Sequence, residues 1–304
     1  MKIAVAKYPI GRPSHFDDFA EKQRRSLRAA ADAGAGIAVL PEYLALELAG
    51  SFEDGIAGDL HASLAALQAL RTPWLALFAD IARDTGLRIV AGTFLLDLGR
   101  GRYRNRADLF SPDGGHGWQD KLQLTGFEKS TGVIESGDAL KVFQVEDMRV
   151  GLAICYDIEF PLPVRAQYEA GARLLLVPSC TDTAAGATRV RVGCLARALE
   201  NRCFVAQAVT AGEAPWSPAL DLNTGEATVY APMDVGFPAD GVLASTASLA
   251  ASEPAAANAA VWAFADIDTA QLDASRAQAQ VANDRDWPGQ TAPALVCARV
   301  ADRM

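Results

Sequence analysis

Three short segments carry the residues best suited to chemistry. The run Val150-Gly151-Leu152-Ala153-Ile154-Cys155 reads as a buried strand that closes on a cysteine, and Tyr156-Asp157-Ile158-Glu159-Phe160-Pro161 leads on into a helix. A thiol on such a tight strand-to-helix turn projects from a sheet edge, with backbone N–H groups and a helix N-terminus close by. Those surroundings lower a thiol's pKa and favour attack on an electrophilic carbon. By position alone, the commoner reading is a cysteine buried as a small hydrophobe. In Leu40-Pro41-Glu42-Tyr43 a carboxylate follows directly on a second buried strand. Poor solvation there raises a carboxyl pKa, which suits a proton carrier, although a glutamate taken singly is more often just exposed. Lys121 lies in the strand-like segment Gly117–Leu124. It is either an edge-strand charge, the commoner case, or an inward-pointing functional cation. Glu128, further along, is a surface carboxylate or a partner for Lys121.

Other chemistries find less support. The three histidines, His15, His61 and His116, fall outside these segments, although His116 precedes Lys121 in one hairpin. That weakens a Cys–His dyad, and no His/Cys spacing suits zinc. Gly34-Ala35-Gly36 follows a helix, the reverse of a dinucleotide fingerprint. No cofactor and no metal are expected. The five cysteines are odd in number and lack a CxxC pair, which suits a reducing compartment; Cys180, Cys194 and Cys203 read as structural. With a net charge of −9 and no basic cluster interleaved with aromatics, nucleic acid is not an expected partner. Arg100–Arg106 reads as a solvated hairpin. No stretch approaches the ~20 apolar residues of a membrane span, and the apolar run after Met1 is too short for a signal peptide. A cytoplasmic enzyme is the expectation.

The elements that must position these residues alternate along the chain. Half of the 304 residues are hydrophobic, enough for one large core, and no linker divides the chain. Strands are expected at Ile3–Ala6, Ile37–Leu40, Arg88–Phe94, Arg104–Phe110, Gly117–Leu124, Ala139–Val145, Arg149–Ile154, Leu174–Val177 and Cys203–Val209. Weaker ones follow near Ala227–Tyr230, Val242–Ser245 and Ala260–Ile267. Helices are expected at Phe16–Ala33, at His61–Leu70 and Trp74–Arg83 broken by Thr72-Pro73, at Pro163–Ala170, at Thr188–Glu200, and at Asp268–Ala279 capped by Asp268 or Thr269. The Ala-rich stretch Ala247–Ala260 reads as a loop or short helix, and the last residues as a tail. Hairpins among alternating strands and helices imply mixed sheets.

The order of Glu in L-P-E, Lys in D-K-L and Cys in I-C-Y-D-x-x-F-P resembles the nitrilase superfamily of carbon–nitrogen hydrolases. Leu175-Leu176-Val177-Pro178-Ser179, Ala196–Arg202 and the hairpin Asn105–Leu122 add to the likeness, which runs from Lys2 to about Asp268. Thr125–Glu128 through Gly137-Asp138, Arg189–Arg191 and Ala214–Ala219 look like a poorly characterised, amidase-like branch whose members are sometimes fused to an acetyltransferase domain, which is not expected within these 304 residues. The resemblance implies an α/β four-layer α-β-β-α sandwich with two mixed sheets, a hydrolase domain over 1–268, and a C-terminal helix and tail (269–304) in the same unit. It implies pairing into a homodimer or higher oligomer, and a Glu–Lys–Cys triad at Glu42, Lys121 and Cys155 that cleaves a small amide through a thioester. Glu128 matches a second, substrate-positioning carboxylate, with Glu135 as the other candidate. The backbone N–H of Tyr156 would join Lys121 in holding an oxyanion. Ser179 and Thr181, at a strand's carboxyl end, are substrate contacts or caps, and Trp216 lines the pocket or packs under a loop. A nitrile substrate, or a scaffold without catalysis, is the alternative.

Overall fold

The computed structural model describes residues 1–248 and 259–292. Most of the Ala-rich stretch, the end of the tail and Cys297 lie outside the described residues. In chain order the strands are β1 (Lys2–Pro9), β2 (Ile37–Leu40), β3 (Arg88–Asp97), β4 (Tyr103–Phe110), β5 (His116–Asp120), β6 (Val142–Val145), β7 (Met148–Leu152), β8 (Ala172–Ser179), β9 (Phe204–Glu213), β10 (Leu222–Asn223), β11 (Thr228–Tyr230), β12 (Val242–Ser245) and β13 (Val261–Asp266).

They form two halves of one hydrogen-bonded path. In the first half β1, β2 and β3 run parallel, while β4, β5 and β13 pair antiparallel. In the second, β7, β8 and β9 run parallel, flanked by antiparallel β6, β11 and β12. The halves join where Lys7–Pro9 of β1 pairs with Val209–Ala211 of β9. Both are mixed, as hairpins combined with crossover helices require.

The pleat sorts side chains between two cores. Ile3, Val5, Ile37 and Val39 face Leu174, Leu176, Val205 and Val209 in a core between the halves, and β2 and β3 lie against β8 and β9 across it. Ala4, Tyr8, Ala38 and Leu40 turn the other way, onto Phe19, Leu27, Trp74 and Phe78 of the helices Phe16–Asp32 and Arg71–Thr85. The helices Pro161–Glu169 and Ala184–Asn201 cover the second half through Val164, Val190, Cys194 and Ala198. The result is the α-β-β-α layering that the resemblance implies.

Several details depart from the sequence expectation. Pro73 does not break a helix: it falls in the first turn of Arg71–Thr85, where a missing N–H loses no intrahelical bond. The strand before Lys121 ends at Asp120, so Lys121 stands just beyond a strand and not within one. The Arg100–Arg106 hairpin is not simply solvated, because Arg104 pairs with Asp138 at 2.9 Å and Arg106 with Asp120 at 2.7 Å. The C-terminal helix, by contrast, follows the expectation: it spans Thr269–Gln278 and is capped by Asp268, whose carboxylate accepts the Ala270 N–H at 2.9 Å. Buried Asp284 beyond it takes a Tyr168 hydroxyl at 2.8 Å and the Arg276 guanidinium at 3.1 Å, which ties this C-terminal segment to the body.

Candidate active site

Two backbone turns aim the key side chains. β2 ends at Leu40; Pro41 cannot extend the ladder, and Tyr43 adopts a left-handed conformation at φ 60°. The Tyr43 N–H is held by Thr93 Oγ1 on β3 at 2.8 Å. β7 ends at Leu152, and Cys155 also sits in the left-handed region, at φ 48°. Such strain in a non-glycine residue persists only where the surroundings fix it, and it gathers at functional sites.

The turns bring Glu42 and Cys155 to Lys121. Lys121 Nζ lies 2.7 Å from Glu42 Oε1 and 2.8 Å from Glu128 Oε2. Asn105 Nδ2 donates to Glu42 Oε1 at 2.8 Å and to Glu128 Oε1 at 3.2 Å. The Tyr43 hydroxyl donates to Glu128 Oε1 at 2.9 Å. Glu128 Oε2 also accepts the Thr125 N–H at 2.9 Å, because Glu128 closes the capping box of the short helix Gly126–Ser130. Cys180 holds both side chains through its backbone: its N–H donates to Glu42 Oε2 at 3.1 Å, and its carbonyl accepts the Cys155 thiol at 3.4 Å. The thiol and Glu42 both line the same cavity, close enough to act on each other electrostatically.

Burial sets the protonation states. Glu42, Lys121 and Glu128 are each at most 1% exposed. Desolvation pushes Glu42 up, only partly offset by Lys121, and neighbouring Glu128 adds to the rise. Burial by itself would lower Lys121, but the two carboxylates outweigh it and hold the ammonium charged. For Glu128, burial is outweighed by Lys121 and by the hydrogen bonds from Thr125 and Asn105, so it lies below its ordinary value. Burial and the Glu42 charge push the Cys155 thiol well up. The resting site therefore holds a thiol beside a basic carboxylate, a cation and an ionised second carboxylate.

Glu42, Lys121 and Cys155 line a cavity of about 290 Å³, while Glu128 is fully buried against Lys121 and is not part of that lining. Tyr43, Thr125, Phe127, Tyr156, Cys180 and Thr181 contribute to its wall. Glu159, Asp182 and Asp221 stand at its lining against one further cation, Arg189.

The structure thus brings Glu42, Lys121, Glu128 and Cys155 together, with Tyr156 on the wall. Of the two candidates for the second carboxylate, Glu128 is in the site; Glu135 is outside it, paired with Arg102 at 2.7 Å. Two expected contacts do not reach the cavity. Ser179 is wholly buried, its hydroxyl 3.4 Å from the Val177 carbonyl, and it is Cys180 and Thr181 that line the space. Trp216 packs on the outer core with the Arg12 guanidinium 5.8 Å from its ring, while nearby Pro218 and Ala219 line the cavity. Cys180, read from the sequence as structural, touches both Glu42 and Cys155. Sequence reasoning missed Asn105, Tyr43 and Asp157 as organisers of the site. A Thr125-x-x-Glu128 capping pattern, not used in that reasoning, is the local sequence signal that Glu128 is fixed in place.

A glutamate, a lysine and a cysteine thus gather near strand ends of the mixed sheet. The carbon-nitrogen hydrolase family model matches residues 2–236, and the chain belongs to that family. Among its relatives is the probable hydrolase YhcX of Bacillus subtilis, 30% identical over 248 residues, covering 81% of this chain and 47% of that protein. The omega-amidase NIT2-B of Xenopus laevis is 27% identical over 165 residues, 51% of this chain and 58% of that one. The chain thus spans about half the length of these curated relatives. Among solved structures, Nit3 of Saccharomyces cerevisiae, a nitrilase superfamily member, aligns over 94% of this chain and 96% of its own at a TM-score of 0.69 and 17% identity. An amidase from Nesterenkonia sp. aligns over 94% and 96% at 0.64 and 23% identity, and both likenesses establish the fold. Among the described residues no helix is long and apolar enough to cross a membrane.

Proposed function

We propose that this chain is an amidase that hydrolyses a small non-peptide amide through a thioester on Cys155. The carrying observation is the convergence of Glu42 and Lys121 on Cys155 in one buried cavity. Glu42, made basic by burial, takes the thiol proton as sulfur attacks the amide carbon. The Lys121 ammonium and the Tyr156 N–H hold the developing oxyanion. Glu42 then passes its proton to the leaving nitrogen, and ammonia or an amine departs from the thioester. The same carboxylate deprotonates a water that attacks the acyl carbon, which releases the acid and restores the thiol. Glu128 stays ionised and pins Lys121, and so bears on the amide through that ammonium.

The relatives support this reading: NIT2-B is named an omega-amidase, and in a variant of the amidase from Nesterenkonia sp. AN1 acrylamide adds to the active-site cysteine. The lining carboxylates Glu159, Asp182 and Asp221 against Arg189 favour a neutral or cationic acyl group over an anionic one. We further propose a homodimer formed through the helices Pro161–Glu169 and Ala184–Asn201, supported by exposed Leu162, Val192 and Leu199 on them; sedimentation at equilibrium tests it, and a monomer at micromolar concentration rejects it. The function itself is tested by ammonia release from a panel of small amides, carbamoyl compounds and nitriles, beside Cys155→Ala. Release from amides that vanishes in the variant supports the reading. Silence across the panel from a protein whose Cys155 also resists alkylation rejects it, and release from nitriles alone replaces it with a nitrilase.

A further inference from the structure

Asp157 is 3% exposed and touches neither Lys121's ammonium nor Cys155's sulfur by any hydrogen bond. Its carboxylate instead collects backbone donors from two separate stretches of chain. Oδ1 accepts the Gln123 N–H at 2.7 Å and the Leu122 N–H at 3.1 Å, and Oδ2 accepts the Ile154 N–H at 3.1 Å. Leu122 and Gln123 directly follow Lys121; Ile154 directly precedes Cys155, and Asp157 itself directly follows Tyr156. One side chain therefore fastens the strand end that carries the cation to the strained turn that carries the nucleophile.

No regular ladder does this work. β5 stops at Asp120 and β7 at Leu152, so both stretches have left their sheets before the chemistry begins. The remaining backbone ties of Lys121 run to Asn105 and Gly137, on the side of the hairpin and its loop. A buried carboxylate accepting three N–H groups is ionised at neutral pH even though burial pushes it up to about 6.

We propose that Asp157 is a positioning residue for the reaction, setting the gap between the Lys121 ammonium and the Tyr156 N–H that together receive the oxyanion. The assignment rests on the amidase reading above. Both donors hang from backbone that Asp157 holds, so a shift of either stretch opens the gap without touching sulfur. Oxyanion donors act only when aimed at where charge develops, and a misplacement of about 1 Å loses on the order of 10²-fold in rate.

Asp157→Asn is the test, because the amide keeps the shape but turns an N–H₂ toward one of the two donor sets. Turnover of the best amide from the panel is measured per titrated Cys155, together with the rate of Cys155 alkylation by iodoacetamide, which needs no oxyanion site. The expected result is kcat down on the order of 10²-fold at a KM within about 3-fold, with alkylation per site within about 3-fold of the parent. Isolating the folded fraction by gel filtration before the thiol titration removes any loss of folded protein. Should the Asn variant fail to fold, Asp157→Glu, which keeps the charge but moves it by one methylene, is expected to show the same split between turnover and alkylation. Parent-like turnover per thiol in whichever variant folds overturns the proposal, as does a parallel fall in turnover and alkylation, which would mark a structural role alone. A parent protein that hydrolyses no amide would instead overturn the amidase reading, and the positioning role would fall with it.

Discussion

Replacing Lys121 with methionine removes the one cation that two buried carboxylates share. The Nζ–oxygen distances of 2.7 and 2.8 Å correspond to about 6 kcal/mol of attraction each at an effective dielectric of 20. Desolvation of the three charges offsets most of that, and removing one partner of a buried pair typically destabilises by about 3–5 kcal/mol. The size of the loss should depend on pH. Asn105 Nδ2 reaches Glu42 Oε1 at 2.8 Å and Glu128 Oε1 at 3.2 Å, so those oxygens are no more than about 6 Å apart. Without the ammonium they cannot both remain ionised in so dry a site, and one keeps a proton in the folded state. A carboxyl whose folded pKa exceeds its unfolded one binds more protons when folded, so stability falls as pH rises between the two values. The slope is about 1.4 kcal/mol per pH unit for one proton. Urea denaturation of the parent and Lys121→Met, run at pH 5, 6 and 7, should show a deficit that grows with pH, by at most about 2–3 kcal/mol over that range because Glu42 is already raised in the parent. Turnover at pH 7 should fall by roughly 10²–10³-fold or more, as for loss of an oxyanion donor. A deficit that is flat with pH would refute a shared cation between the carboxylates. Turnover within about 10-fold of the parent would refute the oxyanion role.

Other perturbations separate the remaining groups. Glu42→Gln should abolish hydrolysis yet make the Cys155 thiol more acidic, since a neighbouring negative charge is gone while Lys121 stays; the pH dependence of alkylation reads this, and an unchanged or raised thiol pKa would contradict it. Glu128→Gln should lower turnover strongly, whereas Glu135→Gln, in an exposed pair with Arg102, should leave turnover alone and shift stability by no more than about 0.5 kcal/mol in denaturant titrations. Gly92 has φ +65°, and a Cβ there would sit 2.2 Å from the Pro41 carbonyl, next to Glu42. Gly92→Ala should therefore destabilise by about 3 kcal/mol and depress kcat, and a neutral effect in both measurements would refute the close approach.

Much of this arrangement was legible in the sequence because it follows from local patterns. Ile37–Leu40 is apolar on both faces and could only be a buried strand, so Glu42 had to emerge at its carboxyl end. The same reasoning placed Cys155 after β7. What joined these residues was the order of three motifs, since neither strand alone reveals its neighbour. Partners distant in the chain stayed hidden. Tyr43 reaches a carboxylate 85 residues away, Asn105 one 63 residues away, and Asp157 backbone 35 residues away. No periodicity reports such contacts. The choice between Glu128 and Glu135 also needed burial, although the capping box at Thr125 fixes Glu128 locally. Ser179 and Trp216 misled because a residue near a strand end or in a turn can face either core or cavity, and the closing packing of β8 and of the Ala214–Ala219 segment decides which.

The central claim is that amide cleavage passes through an acyl group on Cys155. Rapid quenching of the enzyme with its best amide, followed by intact-mass and peptide mass spectrometry, tests it most directly. The account predicts a transient adduct equal to the amide less ammonia or amine, located on Cys155, forming and decaying at rates that match turnover and absent from Cys155→Ala. Steady release of ammonia with no adduct on Cys155, and with turnover surviving in Cys155→Ala, would contradict it.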